Sequence, residues 1–286
     1  MTESFSVLEI FKKAYKYLEE KGVESYKSDT EWIFYDVLKI KKIEIYLDAH
    51  KIKNNEHLKE LRKKIIRRGK REPLQHIIGS VDFHDCKIKS DKRALIPRFE
   101  TEKLVELIID KLPKGFSGSI VDLGTGTGAI IIALAKFYPN SNCTGFDKSA
   151  NALALAQENV KVNNCSRNVQ LRKFDWNKEP YNFKKSDVLI SNPPYLTLED
   201  WNNAEPEVKI YDPKEALIAK KEGISELEAI LNISNSIVKK NGLIAMEFGK
   251  GQGEVLKNKY QYLFNEFCIE KDLAGIRRFL IGTTKN

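Results

Sequence analysis

The stretch Val121-Asp122-Leu123-Gly124-Thr125-Gly126-Thr127-Gly128-Ala129 constrains this chain more than any other. Residues 120–123 read as a buried strand and residues 129–137 as an apolar helix, with three glycines in five positions between them. Such a turn lets the backbone approach a ligand closely, and the start of the helix offers N–H groups with no partner inside the helix. From about residue 96 the alternation repeats. Strands are expected over 143–146, 169–174, 188–190 and 243–248, and helices over 150–162 and 224–238. This pattern predicts an α/β fold with a doubly wound, Rossmann-like sheet.

The glycine pattern has two ligand readings. As GxGxG it is typical of S-adenosylmethionine enzymes; as GxGxxA it is a tolerated dinucleotide variant. A glycine-rich turn that binds nothing is the bland alternative. Asp147 closes the second strand, where a carboxylate can accept hydrogen bonds from a ribose diol. Asp175 and Trp176 follow the third strand. A carboxylate there can take the exocyclic amine of an adenine. The indole can lie against the ring, or simply pack at the sheet edge.

Ser191-Asn192-Pro193-Pro194-Tyr195 follows the fourth strand, at the strand end where open α/β sheets bind ligands. Consecutive prolines have no N–H to donate and hold the chain extended, which frees their carbonyls. The Asn192 side-chain carbonyl and the Pro193 backbone carbonyl can together accept both hydrogens of a planar –NH2 group. Tyr195 can wall that group in. The competing reading is a rigid loop without chemistry, but it leaves the placement beside the glycine turn unexplained.

Residues 1–72 read as helices. Ser6 with Glu9 and Ser28 with Glu31 form expected capping boxes, each ahead of apolar residues on one face. Further helices are expected near Ile43 and Leu47 and around Leu58, Leu61, Ile65 and Ile66. Pro73, Gly79 and short apolar runs mark residues 73–95 as a linker with a β-hairpin, ahead of a catalytic domain over 96–286. A length of 286 residues suits two such domains. The net charge is +8, of which the first 75 residues, with 18 Lys/Arg and 13 Asp/Glu, carry about +5. The run Arg62, Lys63, Lys64, Arg67, Arg68, Lys70, Arg71 is either a solvated helix face or a patch that steers an acidic or RNA-bound partner. Four cysteines without a CxxC pair argue against a zinc site or a disulfide framework and suit a reducing cytosol. No apolar run is long enough to span a bilayer, and Glu3 and Glu9 interrupt any signal-peptide pattern.

These residues resemble the protein-(glutamine-N5) methyltransferases that modify peptide-chain release factors. The resemblance covers nearly the whole chain. It includes Arg71-Glu72-Pro73-Leu74, Leu95-Ile96-Pro97-Arg98-Phe99-Glu100-Thr101-Glu102, the glycine turn, Asp147, Asp175-Trp176 and Asn192 to Tyr195. It continues through Tyr211-Asp212-Pro213, Ala216-Leu217, Glu247, Gln252-Gly253 and Asp272-Leu273-Ala274-Gly275. The NPPY motif is shared with adenine-N6 methyltransferases; the segment from Ile96 to Glu102 and the helical N-terminal region make the match specific.

The resemblance implies a class I methyltransferase fold and S-adenosyl-L-methionine as cofactor. Gly124, Thr125, Gly126, Thr127, Gly128, Asp147, Trp176 and Asn192 would hold it, with Asp175 added from the residue reading above. Asn192, Pro193, Pro194 and Tyr195 would hold the substrate glutamine, with Asn192, Pro193 and Tyr195 carrying the catalysis and no metal involved. The implied reaction puts a methyl group on the N5 nitrogen of the glutamine in a Gly-Gly-Gln motif and so modulates translation termination. The expected setting is the cytoplasm, with a monomer acting on release factors, no membrane and no direct nucleic-acid binding. Residues 1–72 would recognise the substrate. Two positions depart from the family pattern: Phe99 replaces a usual proline, and Asp212-Pro213 replaces Glu-Pro. Phe99 could still line the cofactor pocket.

Three rivals remain. A nucleic-acid adenine-N6 methyltransferase suits NPPY and the positive charge, but needs a target-recognition insertion or base-flipping loop for which the chain after Tyr195 offers no obvious room. A dinucleotide-dependent oxidoreductase has no use for NPPY. A non-catalytic module on the ribosome would not need Asn192.

Overall fold

A computed structural model of the chain describes residues 5–47, 51–52 and 54–285. It divides into two compact units. The first runs to Gly79 and takes in Glu205–Tyr211; the second comprises Ser80–Ala204 and the chain from Asp212 onward.

The first unit is helical: Val7–Glu20, Tyr26–Leu38, Lys42–Leu47, Asn55–Gly69 and Leu74–Ile78, with Pro206–Tyr211 added from far along the chain. Apolar residues spaced three and four apart give each longer helix one buried stripe. Phe11, Leu18, Ile33, Phe34 and Leu61 meet in the resulting core, and the rings of Phe11 and Phe34 pack edge to face with centroids 4.9 Å apart. Helix entry differs from expectation. Ser6 does precede the first helix, but its side chain makes no capping bond. The second helix begins at Tyr26, so Ser28 and Glu31 lie inside it. The Ser25 hydroxyl donates to Asp29, the Ser28 hydroxyl to the Ser25 carbonyl, and Glu31 accepts from the Tyr15 hydroxyl. Residues expected to open a linker form the short helix Leu74–Ile78 instead.

The basic run is not an open patch. Lys64 donates to Asp36 at 2.6 Å, and Arg67 grips Glu72 with two bonds of 2.8 and 2.6 Å. Arg68 reaches Asp29 at 2.6 Å and Glu207 at 2.8 Å. Arg71 takes both oxygens of Glu207 at 2.7 Å. Four of the seven cations therefore hydrogen-bond to carboxylates within the unit, and Lys63 stands 3.9 Å from Glu60. These bonds give Glu205–Tyr211 its place in a helical unit it does not follow in sequence.

The second unit opens with a β-hairpin, Ser80–Phe83 against Cys86–Lys89. Seven strands then form one sheet: β1 (Ser119–Leu123), β2 (Asn142–Asp147), β3 (Val169–Lys173), β4 (Ser186–Ser191), β5 (Val238–Glu247), β6 (Phe264–Lys271) and β7 (Arg277–Thr284). Their order is β3-β2-β1-β4-β5-β7-β6. All neighbours are parallel except β7, which runs antiparallel to both β5 and β6. On one face Leu104 and Ile108 of helix Phe99–Lys111 and Ile131 and Leu134 of helix Ala129–Phe137 bury Ile120, Val188 and Ile190. On the other, Leu227 and Leu231 of helix Ser225–Ile237 and Leu256 of helix Gly253–Tyr260 cover Leu123, Leu189 and Ile244. Burial on both faces explains the unbroken Val/Ile/Leu character of the central strands. Strand order reverses between β1 and β4, which opens a crevice at their carboxyl ends.

Candidate active site

The glycine turn leaves β1 at that crevice. Its Gly124 and Thr125 N–H groups both donate to the Phe146 carbonyl at 2.8 Å, which fastens the turn to β2. The glycines do different work. Gly128 has φ +82°, and a Cβ there would stand 3.2 Å from Ile132 Cδ1 and 3.3 Å from the Ala156 Cβ, so it serves close helix packing. Gly124 has φ +77°, and a Cβ there would stand 3.5 Å from the Trp176 ring, filling space between turn and indole.

Asp147, the last residue of β2, accepts the Gly126 N–H at 2.9 Å and the Ser149 N–H at 2.8 Å. Burial pushes its carboxyl above the usual carboxylate range, against the pull of those two N–H groups. Each oxygen keeps a lone pair for a further donor. Trp176 is buried, and its indole N–H donates to Glu226 at 2.9 Å, which fixes the ring plane. Gly124, Gly126, Asp147, Trp176, Asn192 and Pro194 line one cavity.

Residues not foreseen complete the wall, among them Arg93, Leu95, Ser149, Pro213 and Glu215. Leu95 and Pro213 stand in or beside the segments that carry the family resemblance; Ser149 and Glu215 gave no signal of their own. Other expected site residues lie off this wall. The Thr125 carbonyl accepts the Gly128 N–H at 2.8 Å, and the Thr127 carbonyl accepts the Asn159 side chain at 2.9 Å, so both shape the turn from behind. Asp175 accepts the Asn177 N–H at 3.1 Å and pairs with Lys178 at 3.4 Å. Phe99 does not line the cavity: it opens helix Phe99–Lys111 and is 68% exposed. Asp212, the other departure, is buried and accepts from Arg98 at 2.7 Å.

Asn192 follows directly on β4. Its Nδ2 donates to the Thr101 hydroxyl at 3.1 Å, the Thr101 hydroxyl donates to Glu247 Oε2 at 2.7 Å, and the Tyr195 hydroxyl donates to Glu247 Oε1 at 2.9 Å. One Asn192 Nδ2 hydrogen is thus taken by Thr101, which turns Oδ1 away from Thr101 as the acceptor of a residue that lines the cavity. The Tyr195 carbonyl accepts from Gln252 at 3.0 Å, which braces the loop from the other side. Burial and the adjacent Glu247 charge hold the Tyr195 hydroxyl well above the usual phenol range, so it stays protonated. A larger recess, about 550 Å³, opens at the amino ends of β1, β2 and β4 around Ser119, Asn142 and Ser186. That is the wrong end of an open α/β sheet for the chemistry of this loop.

The wall suits an adenosine-bearing cofactor on its own terms. It offers a strand-end carboxylate with spare lone pairs, a fixed indole plane and a glycine-backed gap between them. Two family models match the chain: the Methyltransferase small domain over residues 100–217 and the PrmC N-terminal domain over residues 9–79. A release factor glutamine methyltransferase of Fusobacterium nucleatum is 36% identical over 96% of this chain and 78% of its own length. One from Aliivibrio fischeri is 33% identical over 98% of both chains. The chain belongs to the release factor glutamine methyltransferase family. The catalytic domain of hMettl16, solved with an RNA hairpin, is similar in fold, with a TM-score of 0.56 at 16% identity over 84% of this chain and 86% of that one. At that identity the likeness shows the shared class I fold alone, and an adenine-N6 activity is not favoured for a member of the release factor glutamine methyltransferases. No helix among the described residues is long and apolar enough to cross a membrane.

Proposed function

We propose that this protein transfers a methyl group from S-adenosyl-L-methionine to the side-chain amide nitrogen of the glutamine in the Gly-Gly-Gln motif of peptide-chain release factors. The observation that carries the reading is the Asn192 amide, turned so that its carbonyl is the free group on a wall shared with Gly124, Asp147 and Trp176. In this reading the protein works in the cytoplasm as a monomer, without direct nucleic-acid binding, and its helical N-terminal region recognises the release factor.

Asp147 would take the ribose diol, Trp176 the flat adenine ring, and the turn from Gly124 to Gly128 the remainder, with Asp175 acting only from behind the wall. The cofactor, when bound, supplies a methyl group carried on a positively charged sulfur. An amide nitrogen is a weak nucleophile because its lone pair is delocalised into the carbonyl. Asn192 Oδ1 and the Pro193 carbonyl would accept its two hydrogens, raise electron density on nitrogen and fix its direction. Pro194 and Tyr195 would wall the flat group in and exclude water. Orientation of this kind is worth up to about 7–11 kcal/mol in favourable intramolecular systems. No strong base is required, since the nitrogen can lose its proton after methylation.

Incubation with labelled S-adenosylmethionine and either a release factor or nucleic acid tests the reading. Mass spectrometry should place the label on the glutamine of Gly-Gly-Gln. Label on a lysine, or on an adenine base, would overturn it.

A further inference from the structure

We propose that Glu247, acting through the Thr101 hydroxyl, sets which way the Asn192 amide faces, and so is a positioning residue for the planar amide gripped by this loop. The inference rests on the function proposed above.

Glu247 ends β5, 1% exposed, and Thr101 lies in helix Phe99–Lys111, 4% exposed. Burial pushes the Glu247 carboxyl above the usual carboxylate range, against the pull of the Thr101 and Tyr195 hydroxyls and the Arg278 charge. The donors around it are those of the ionised form: both oxygens accept, and a threonine hydroxyl has one proton to give. That proton goes to Glu247 Oε2. Thr101 therefore has nothing but lone pairs to offer Asn192, so the Asn192 –NH2 must face Thr101 and the carbonyl must face the cavity. Tyr195 spends its own proton on the other oxygen of the same carboxylate. Both ends of the loop from Asn192 to Tyr195 thus answer to one buried acceptor.

The direction of this chain of bonds matters because the amide to be gripped also presents donors. A glutamine at position 247 could donate to the Thr101 oxygen. The Thr101 proton would then be free to seek the Asn192 carbonyl, and Asn192 would turn its –NH2 toward the substrate. Two donors would meet, and the grip would fail although every residue of the loop is intact.

The test uses the full chain and two readouts. In the ligand-free protein, the side-chain amide signals of Asn192 in a ¹⁵N–¹H spectrum are assigned by their absence in Asn192→Asp. One Nδ2 proton should be slow to exchange; Thr101→Val should abolish that protection and Thr101→Ser should keep it. Should Thr101→Val fail to fold, Thr101→Ala gives the same comparison. In steady-state kinetics, Thr101→Val and Glu247→Gln should lower kcat by roughly tenfold or more. KM for the cofactor should not change, and Thr101→Ser should restore kcat. Unchanged Asn192 protection in Thr101→Val, undiminished kcat in Glu247→Gln, or equal damage from serine and valine would overturn the inference. If the wild-type protein methylates no release factor, the proposed function falls, and the exchange pattern alone decides whether Glu247 and Thr101 orient Asn192.

Discussion

Asp147 accepts the backbone N–H of Gly126 at 2.9 Å, so the carboxylate expected to bind ribose also clamps the turn that would cradle the cofactor. Asp147→Ala should weaken cofactor binding by about 2–3 kcal/mol, the cost of losing a charged hydrogen-bond partner. It should also lower Tm, because the Gly126 and Ser149 N–H groups lose their acceptor. Asp147→Asn keeps one acceptor and should fall between the two. Calorimetric titration alongside thermal melts checks this; unchanged affinity in Asp147→Ala would remove the ribose role.

Two glycines of the turn should separate stability from binding. Gly128→Ala forces a Cβ to 3.2 Å from Ile132 and 3.3 Å from Ala156 at a φ of +82°. It should cost about 1–3 kcal/mol of stability through overpacking and strain. Gly124→Ala carries similar strain at a φ of +77° but meets only ordinary contact with Trp176 at 3.5 Å, and it places its methyl group in the gap between turn and indole. It should bind cofactor far more weakly for a smaller loss of Tm. Equal melting points for the two variants would contradict the division.

Asp122 is fully buried in β1, and burial pushes its carboxyl up to about 7 against the pull of the neighbouring Thr125 hydroxyl. Below about pH 4 the group is protonated in both folded and unfolded chains and contributes nothing. As pH rises the unfolded chain ionises first while the folded chain holds its proton. Native stability therefore declines from about pH 4 to about 7 and then levels off. Asp122→Asn should remove this decline, gaining on the order of 2–4 kcal/mol over wild type at pH 8 and little at pH 4. Urea unfolding at both pH values checks it, and a gain independent of pH would refute the assignment.

Arg68 is buried between Asp29 and Glu207, at 2.6 and 2.8 Å. Arg71 can still neutralise Glu207 when Arg68 is lost, but Asp29 has no second cation in these contacts. Arg68→Ala should therefore cost about 3–5 kcal/mol, as expected when one partner of a buried pair is removed. The double variant Arg68→Leu with Asp29→Leu should recover much of that loss. Urea titration of each variant measures it; a loss within the range of a surface substitution would show the pair to be ornamental.

What could be read in the sequence was local. Helices Ala129–Phe137 and Ala150–Val162 run as expected, because a glycine turn marks the start of the first and apolar periodicity marks the lengths of both. Ser6 marks the start of its helix without making a capping bond, whereas Ser28 with Glu31 misled, since Ser25 lies three residues earlier and the helix starts from it. The antiparallel pair β6 and β7 was missed because Glu266 and Glu270 break the alternation of the edge strand β6, and β7 opens on Arg277 and Arg278 before its short apolar run. Long-range partners left no trace. Thr101 and Glu247 are 146 positions apart, and Arg71 and Glu207 are 136 apart. Only folding brings the first pair against Asn192 and the second pair together in the helical unit.

Asn192 is where the strand order, the prolines and the buried carboxylate converge, and its substitution should separate chemistry from binding. Asn192→Ala removes one of two acceptors for the substrate amide, but leaves Gly124, Asp147 and Trp176 in place on the cavity wall. Cofactor affinity should fall far less than kcat, which should drop about a hundred- to a thousandfold, as when one preorganised polar contact is lost from a dry site. Asn192→Asp should do no better. Its carboxylate would face a Thr101 hydroxyl whose proton is already given to Glu247, setting two acceptors and two like charges around one hydroxyl. Relief would require a proton on one of the two acids, so any residual activity of Asn192→Asp should rise as pH is lowered, whereas that of Asn192→Ala should not. Rate measurements on release factor across pH, with cofactor affinity followed by calorimetry, check both. Full activity in Asn192→Ala would refute the role of Asn192, and identical pH profiles for the two variants would refute the coupling to Glu247.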